Sequence, residues 1–293
     1  MEDQRGHFPA TRMCRVLGVS PSGYYAWRGR PPSAREMANQ GLIKKIEAVY
    51  NNHRRTYGSP RVYHDLRAEG VACSENRVAR LMRLRNLRAK QLRRYRGTTK
   101  RDKAHPVAPN LLKRDFTADR PDRKWLSDIT YIPTQEGWLY LAVILDLCSR
   151  GIVGWAMSDR MTVDLTLSAL KLALQRRQPE AGLILHSDRG SQYTDHTYQA
   201  LLEAHGIRAS MNSVGSWYDN APMESFIGTL KTELVYHRRY RTRDEARADL
   251  FFYIEAFYNR RRRHSSLGYL SPDAYEQLYY QQCEFRLSPR PPN

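Results

Sequence analysis

Cysteine is scarce in this chain: four in 293 residues, at positions 14, 73, 148 and 283. None lie close enough to form a CxxC zinc signature, and so wide a scatter suits a reducing compartment rather than a disulfide scaffold. Long apolar runs are missing too. No stretch approaches the roughly 20 residues of a membrane span, and the opening MEDQRGHFPATR has no signal-peptide apolar core. These absences point to the cytoplasm and away from membrane and secreted classes. Acidic residues are also short at the front. Residues 1–123 hold 28 Lys/Arg against 11 Asp/Glu, a net of +17. Residues 124–230 hold 8 against 11, a net of −3, and residues 231–293 hold 12 against 8, a net of +4. A merely soluble basic protein would spread its charge. A basic front on an acidic middle is the layout of a polyanion binder with a separate metal site.

The front reads as helical. Residues 8–28 give two short helices around Gly18, the second capped by Ser20 with Pro21 at its first position. Residues 36–50 place Leu42, Ile43, Ile46, Val49 and Tyr50 on one helical face. A helix then runs to Gly70. Ser74 caps a further one, with Val78, Leu81 and Met82 inward and Arg77, Arg80, Arg83 and Arg88 outward. Helix, glycine turn and basic helix fit a helix-turn-helix unit with its second helix against DNA; a solvated cationic helix is the plainer alternative. The expected organisation is a short helical segment (1–35), the helix-turn-helix-like unit (36–94), a linker (95–123), a catalytic core (124–260) and a basic tail (261–293).

From residue 124 the pattern changes. Strand-like runs at 125–133, 138–147 and 151–158 precede a helix at 162–176, a strand at 182–187, a helix at 193–205 and a strand at 207–211. Three meandering strands followed by alternating helix and strand predict a mixed α/β sheet. A loop at 212–221 carries Trp217 and Tyr218, which could stack on bases or only anchor the loop. Helices are expected at 222–238 and 243–260.

Three acids stand out. Asp128 lies in the strand WLSDITYIP, Asp188 closes the strand GLILHSD, and Glu224 opens the helix APMESFIGTLKTEL. A lone aspartate at a strand end is usually a turn former, as Asp146 and Asp195 could be. Here order, spacing and element type act together. Mg²⁺ takes hard oxygen ligands and keeps room for phosphate oxygens. Three such carboxylates suit two Mg²⁺ ions, which activate an attacking oxygen and stabilise a leaving one. Lys231 follows Glu224 by two helical turns, so both face one way. Arg189, Gln192 and Tyr193 flank Asp188 and could orient water or touch phosphate. The run Arg260, Arg261, Arg262, Arg263 and His264 reads as a phosphate-backbone contact, with a solvated charge run as the alternative.

WLSDITYI, LAVILDLCSRGIVGWAM, HSDRGSQYT, NAPMESFIGTLKTEL and YNRRRRHSSLGYLSP together resemble the bacterial transposases of the insertion sequence three family, in their second reading-frame product, OrfB. MCRVLGVSPSGYYAW and TYGSPRVYHDL resemble the same product's N-terminal part. The resemblance implies a ribonuclease-H-like, integrase-type catalytic core with helices on both faces of a mixed sheet, preceded by an all-α DNA-binding region. It assigns Asp128, Asp188 and Glu224 the metal-binding DDE roles and Lys231 the downstream basic position. It implies Mg²⁺, two ions per site with Mn²⁺ able to substitute, and duplex DNA (element ends and target) as substrate. A homo-oligomer, a first-frame (OrfA) partner and residence with the bacterial nucleoid are implied too. The zinc module of retroviral integrases and a leucine-zipper heptad run are absent. A DNA-binding regulator with an inert core, and a nuclease acting on RNA–DNA hybrids, are the competing readings.

Overall fold

The computed structural model describes residues 1–90, 108–212 and 219–287. Two short helices, α1 (Ala10–Val16) and α2 (Pro21–Gly29), open the chain. Gly18 turns between them at φ +65°, a conformation few side chains tolerate, and Ser20 accepts the Gly23 N–H as the α2 cap. Helix α3 (Ala34–Asn52) starts with a capping box between Ser33 and Glu36. It buries Leu42, Ile46, Val49 and Tyr50 against α4 (Ser59–Ala68) and α5 (Glu75–Leu84). Ser74 caps α5 as expected, and Val78, Leu81 and Met82 are its buried face.

Strands β1 (Lys124–Thr134), β2 (Gly137–Asp146) and β3 (Ile152–Ser158) form an antiparallel meander. Strands β4 (Ile184–Ser187) and β5 (Arg208–Met211) add in parallel on the other side of β1, giving the order β3-β2-β1-β4-β5. β1 is therefore central. Its period-2 alternation feeds two cores. Trp125 packs on one face with α6 (Val163–Arg177) and α8 (His196–Ala204). Leu126 and Ile132 pack on the other with α9 (Ala221–Glu233) and α10 (Arg243–Phe251). β3 lies so close to α6 that a Cβ on Gly154 would run into the Ala169 carbonyl. This is the mixed sheet with helices on both faces that the resemblance implies, a ribonuclease-H-like core.

Several boundaries differ from expectation. The helix expected at 193–205 is two, α7 (Ser191–Thr194) and α8, because the Asp195 side chain accepts the Thr197 N–H and starts a new helix. Helix α9 ends at Glu233 rather than running to 238. The second predicted helix is α10 followed by a π-helix at Phe252–Tyr258. Residues 108–123 are not a loose linker, since Leu112 is buried in the core shared by sheet and N-terminal helices; the rest of that expected linker lies largely outside the described residues. Nor is 261–287 a free tail. Helix α11 (Pro272–Leu287) returns to the core, where Glu276 pairs with Arg177. Among the described residues no helix is long and apolar enough to cross a membrane.

Candidate active site

The sheet register brings the two aspartates together. Leu126 on β1 pairs with His186 on the parallel strand β4. Asp128 lies two residues further along β1 and Asp188 just past the end of β4, near enough for its charge to act on Asp128. Glu224 enters from the first turn of α9, which packs on β1. One Asp128 oxygen accepts the Ile129 N–H at 2.7 Å, and one Asp188 oxygen accepts the Gly190 N–H at 2.9 Å. A side chain at Gly190 would sit 3.0 Å from that same Asp188 oxygen, so the turn needs glycine to leave the carboxylate room.

The charges are poorly balanced. Burial, then Asp188, then Glu224 push the Asp128 carboxyl up to about 7, against the opposing Ile129 N–H and Lys231. Burial raises Asp188, offset by the Gly190 N–H, and desolvation raises Glu224. Among the described residues no ion pair joins any of the three. Lys231 stands nearby, its Nζ 4.6 Å from the Tyr131 ring centre; desolvation lowers its pKa while Asp128 opposes that.

A divalent metal fits this set by donor chemistry: three hard carboxylates, each with at least one oxygen free of partners among the described residues. Asn220, just before α9, adds a buried Oδ1 with no partner among the described residues. Spacing does not yet match a filled site, since no group of three His, Cys, Asp or Glu is gathered closely enough among the described residues to hold an ion.

The neighbours sort themselves. His186 is buried, with its ring nitrogens on Ser210 Oγ (2.8 Å) and Asn212 Oδ1 (2.7 Å), which ties β4 to β5 below Asp188. Arg189 donates through Nε to the Asn212 carbonyl and Gln192 donates to the Met161 carbonyl. Tyr193 is buried, its hydroxyl 3.0 Å from Ser127 Oγ. It supports the floor of the site and cannot face DNA, which corrects the expectation for that residue. Trp217 and Tyr218 lie outside the described residues.

The basic run also divides. Arg260 and Arg261 are exposed. Arg262 is only 5% exposed and forks onto Glu233 with three hydrogen bonds of 2.8–3.1 Å. Arg263 donates to Asp65 Oδ1 at 2.6 Å and to the Tyr269 carbonyl. His264 is held neutral by burial and by Arg262, Arg61 and Arg150. The phosphate-contact expectation therefore fails for Arg262 and His264, which face inward, and Arg263 is engaged internally. On α5, Arg80 and Arg83 are exposed, as is Arg88 beyond its end, while Arg77 is half-buried and donates to Asn39.

The sequence reading missed Glu233. Met223, Phe226, Leu230 and Glu233 fall at one helical face, so an acid on an apolar stripe was the available signal.

Comparison with known proteins agrees with this geometry. An integrase core domain model matches residues 118–216, a second integrase core domain model matches 205–272, and an HTH-like domain model matches 37–95. Two solved structures are distantly similar. The simian T-cell lymphotropic virus intasome in complex with a PP2A regulatory subunit aligns with TM-score 0.45 and 14% identity, over 85% of this chain and 76% of that one. The HTLV-2 integrase catalytic core domain in complex with magnesium aligns with TM-score 0.41 and 16% identity, over 54% and 98%. Closer in sequence is the transposase InsF of insertion sequence IS3A from Escherichia coli (strain K12), 44% identical over 278 residues, 94% of this chain and 96% of that protein. The 31 kDa protein of insertion element IS600 from Shigella sonnei is 48% identical over 269 residues, 92% of this chain and 99% of that protein. With integrase-core and HTH-like domains matched and relatives aligned along nearly their full length, the chain belongs to the IS3-type insertion-sequence transposases.

Proposed function

We propose that this transposase cuts DNA at the ends of its element and joins the freed 3′-OH to new DNA, using divalent metal held by Asp128, Asp188 and Glu224. One observation carries the reading: Asp128 lies on β1 and Asp188 just past the end of the neighbouring strand β4, Glu224 opens the helix packed on β1, and among the described residues no cation pairs with any of the three. Uncompensated carboxylates at a cleft are costly unless a cation completes them. Mg²⁺ in two positions, or Mn²⁺ in its place, would supply activation of the attacking oxygen and stabilise the leaving one.

The chain's own groups do the rest. Asp128 and Asp188 present oxygens from a rigid central sheet, and Glu224 closes the set from a helix. Lys231 holds a phosphate beside them. Arg189 keeps its terminal nitrogens for the DNA backbone, since among the described residues only its Nε is bonded. In the first step water attacks a backbone phosphorus, and the P–O bond to the 3′ oxygen breaks to free a 3′-OH. In the second step that hydroxyl attacks a phosphorus of the receiving strand, whose own P–O3′ bond breaks, so that a new 3′-OH leaves as the joint forms. No side chain forms a bond to DNA in either step. Arg80, Arg83 and Arg88 grip the duplex from the HTH-like unit. Two element ends require more than one active site, so the working form is a homo-oligomer, with the first-frame product as a further partner.

The test is a labelled duplex from the element's end incubated with Mg²⁺ and either the wild type or Asp188→Asn. Nicked and joined products from the wild type alone are expected. Equal products from the variant would overturn the metal assignment.

A further inference from the structure

The segment 259–271 sits between two units that the sequence presents as separate. Arg262 reaches Glu233 at the end of catalytic helix α9, where Tyr253 Oη also donates at 2.8 Å. Its chain neighbour Arg263 reaches Asp65 on α4 of the HTH-like unit at 2.6 Å. Tyr57, wholly buried just before α4, staples the same segment: its hydroxyl donates to the Arg261 carbonyl (3.0 Å) and accepts the Arg263 N–H (2.9 Å). Further on, Tyr269 stacks on His64 of α4 with ring centres 3.8 Å apart. Asp65 is itself held by His53 at 2.8 Å. Two adjacent arginines thus bind carboxylates on opposite partners; the Arg262–Glu233 pair is shielded from water and the Arg263–Asp65 pair is half-buried.

We propose that Arg262 and Arg263 are positioning residues: they lock the HTH-like helices to the catalytic helix and so set the distance from the DNA sequence gripped to the phosphate cut. Interfaces between units of one chain default to relative motion unless something fixes them. Here both units share a hydrophobic core, and a pair of charged contacts on consecutive residues, one serving each side, fixes how they sit on it. Opening either contact loosens that register, while the shared core still holds the units together and the carboxylates that carry the chemistry are untouched. The proposal rests on the function read above.

The experiment compares wild type, Arg263→Gln and Tyr57→Phe by two readouts. Spin labels introduced as unnatural residues at exposed Arg83 and Glu203 report the distance between HTH-like unit and core. One narrow distance in the wild type and a broadened distribution in both variants are expected. A 5′-labelled element-end duplex with Mg²⁺ then maps the nick. The wild type should cut one phosphate, and the variants should scatter over neighbouring phosphates with unchanged binding of that duplex. Exchanging the pair, as Asp65→Arg with Arg263→Asp, should restore the single position. Tyr57→Phe removes only a hydroxyl and guards against misfolding of the charge variant. Narrow distances and one unchanged nick in the variants, with only a lower rate, would reduce the arginines to ordinary stabilisers and overturn the proposal. Failure of the wild type to cut would instead strike at the function, because the distance distributions decide the fastener without activity.

Discussion

Helix α9 carries two glutamates with opposite fates. Glu224, in its first turn, is exposed and has no hydrogen bond or ion pair among the described residues. Glu233, at its last residue, is buried and receives Arg262, Tyr253 and, at 3.8 Å, Arg61. Nine residues at about 100° each turn them to opposite faces of one helix. The same contrast runs through the whole molecule. Asp65 and Asp146 are saturated by protein donors: Asp65 by His53 and Arg263, Asp146 by the N–H groups of Asp122, Cys148 and Ser149. Asp128 and Asp188 accept one backbone N–H each. A carboxylate's role follows from what neutralises it: partnered acids hold the fold, and those without a cation among the described residues are the ones proposed to hold metal.

The largest expected effect breaks the unpartnered set. Asp128→Asn, Asp188→Asn or Glu224→Gln should lower strand cleavage roughly a thousandfold or more, with duplex binding kept. A gel assay of cleavage beside a binding isotherm checks both. Stability should not fall in these variants, since each removes a charge without a partner. Glu233→Gln gives the reverse. It leaves the Arg262 cation buried with a weakened partner and should cost about 3–5 kcal/mol in a urea melt.

A pH series sharpens the comparison. The Asp128 carboxyl is raised from its ordinary value to about 7. Between roughly pH 4 and pH 7 the folded chain therefore holds a proton that the unfolded chain has released, so stability falls as pH climbs through that window. Asp128→Asn should flatten that slope, and Mg²⁺ should raise the melting temperature at pH 8 only when Asp128 is present. The smallest effect belongs to Lys231→Ala, which removes a single half-buried cation. It should weaken duplex binding on the order of fivefold, more so at low salt.

Much of this was legible in the sequence because its causes are local. The strand-like runs WLSDITYIP and WLYLAVILDL place β1 and β2, and Ser20 and Ser74 announce their helices through short-range caps. The elements carrying the three acids were legible, strands around Asp128 and before Asp188 and a helix opening at Glu224, although Asp128 lies inside β1 rather than at its end. The basic run was misread because charge alone does not say where it points. Arg262 finds its carboxylate 29 positions away and Arg263 finds its own 198 positions away, distances no local pattern encodes. Tyr193 was misread for a related reason: polar neighbours in HSDRGSQY suggested exposure, while the fold turns its ring under Asp128 toward Ser127. The break at Asp195 depends on a side chain choosing a cap over helix continuation, which the sequence permits either way.

The most direct test of the contrast is a Mn²⁺ titration followed by electron paramagnetic resonance, on wild type, Asp128→Asn and Asp146→Asn. Mn²⁺ binding by the wild type and by Asp146→Asn, lost in Asp128→Asn, is the predicted result. Undiminished binding by Asp128→Asn would contradict the claim that the unpartnered carboxylates hold the metal.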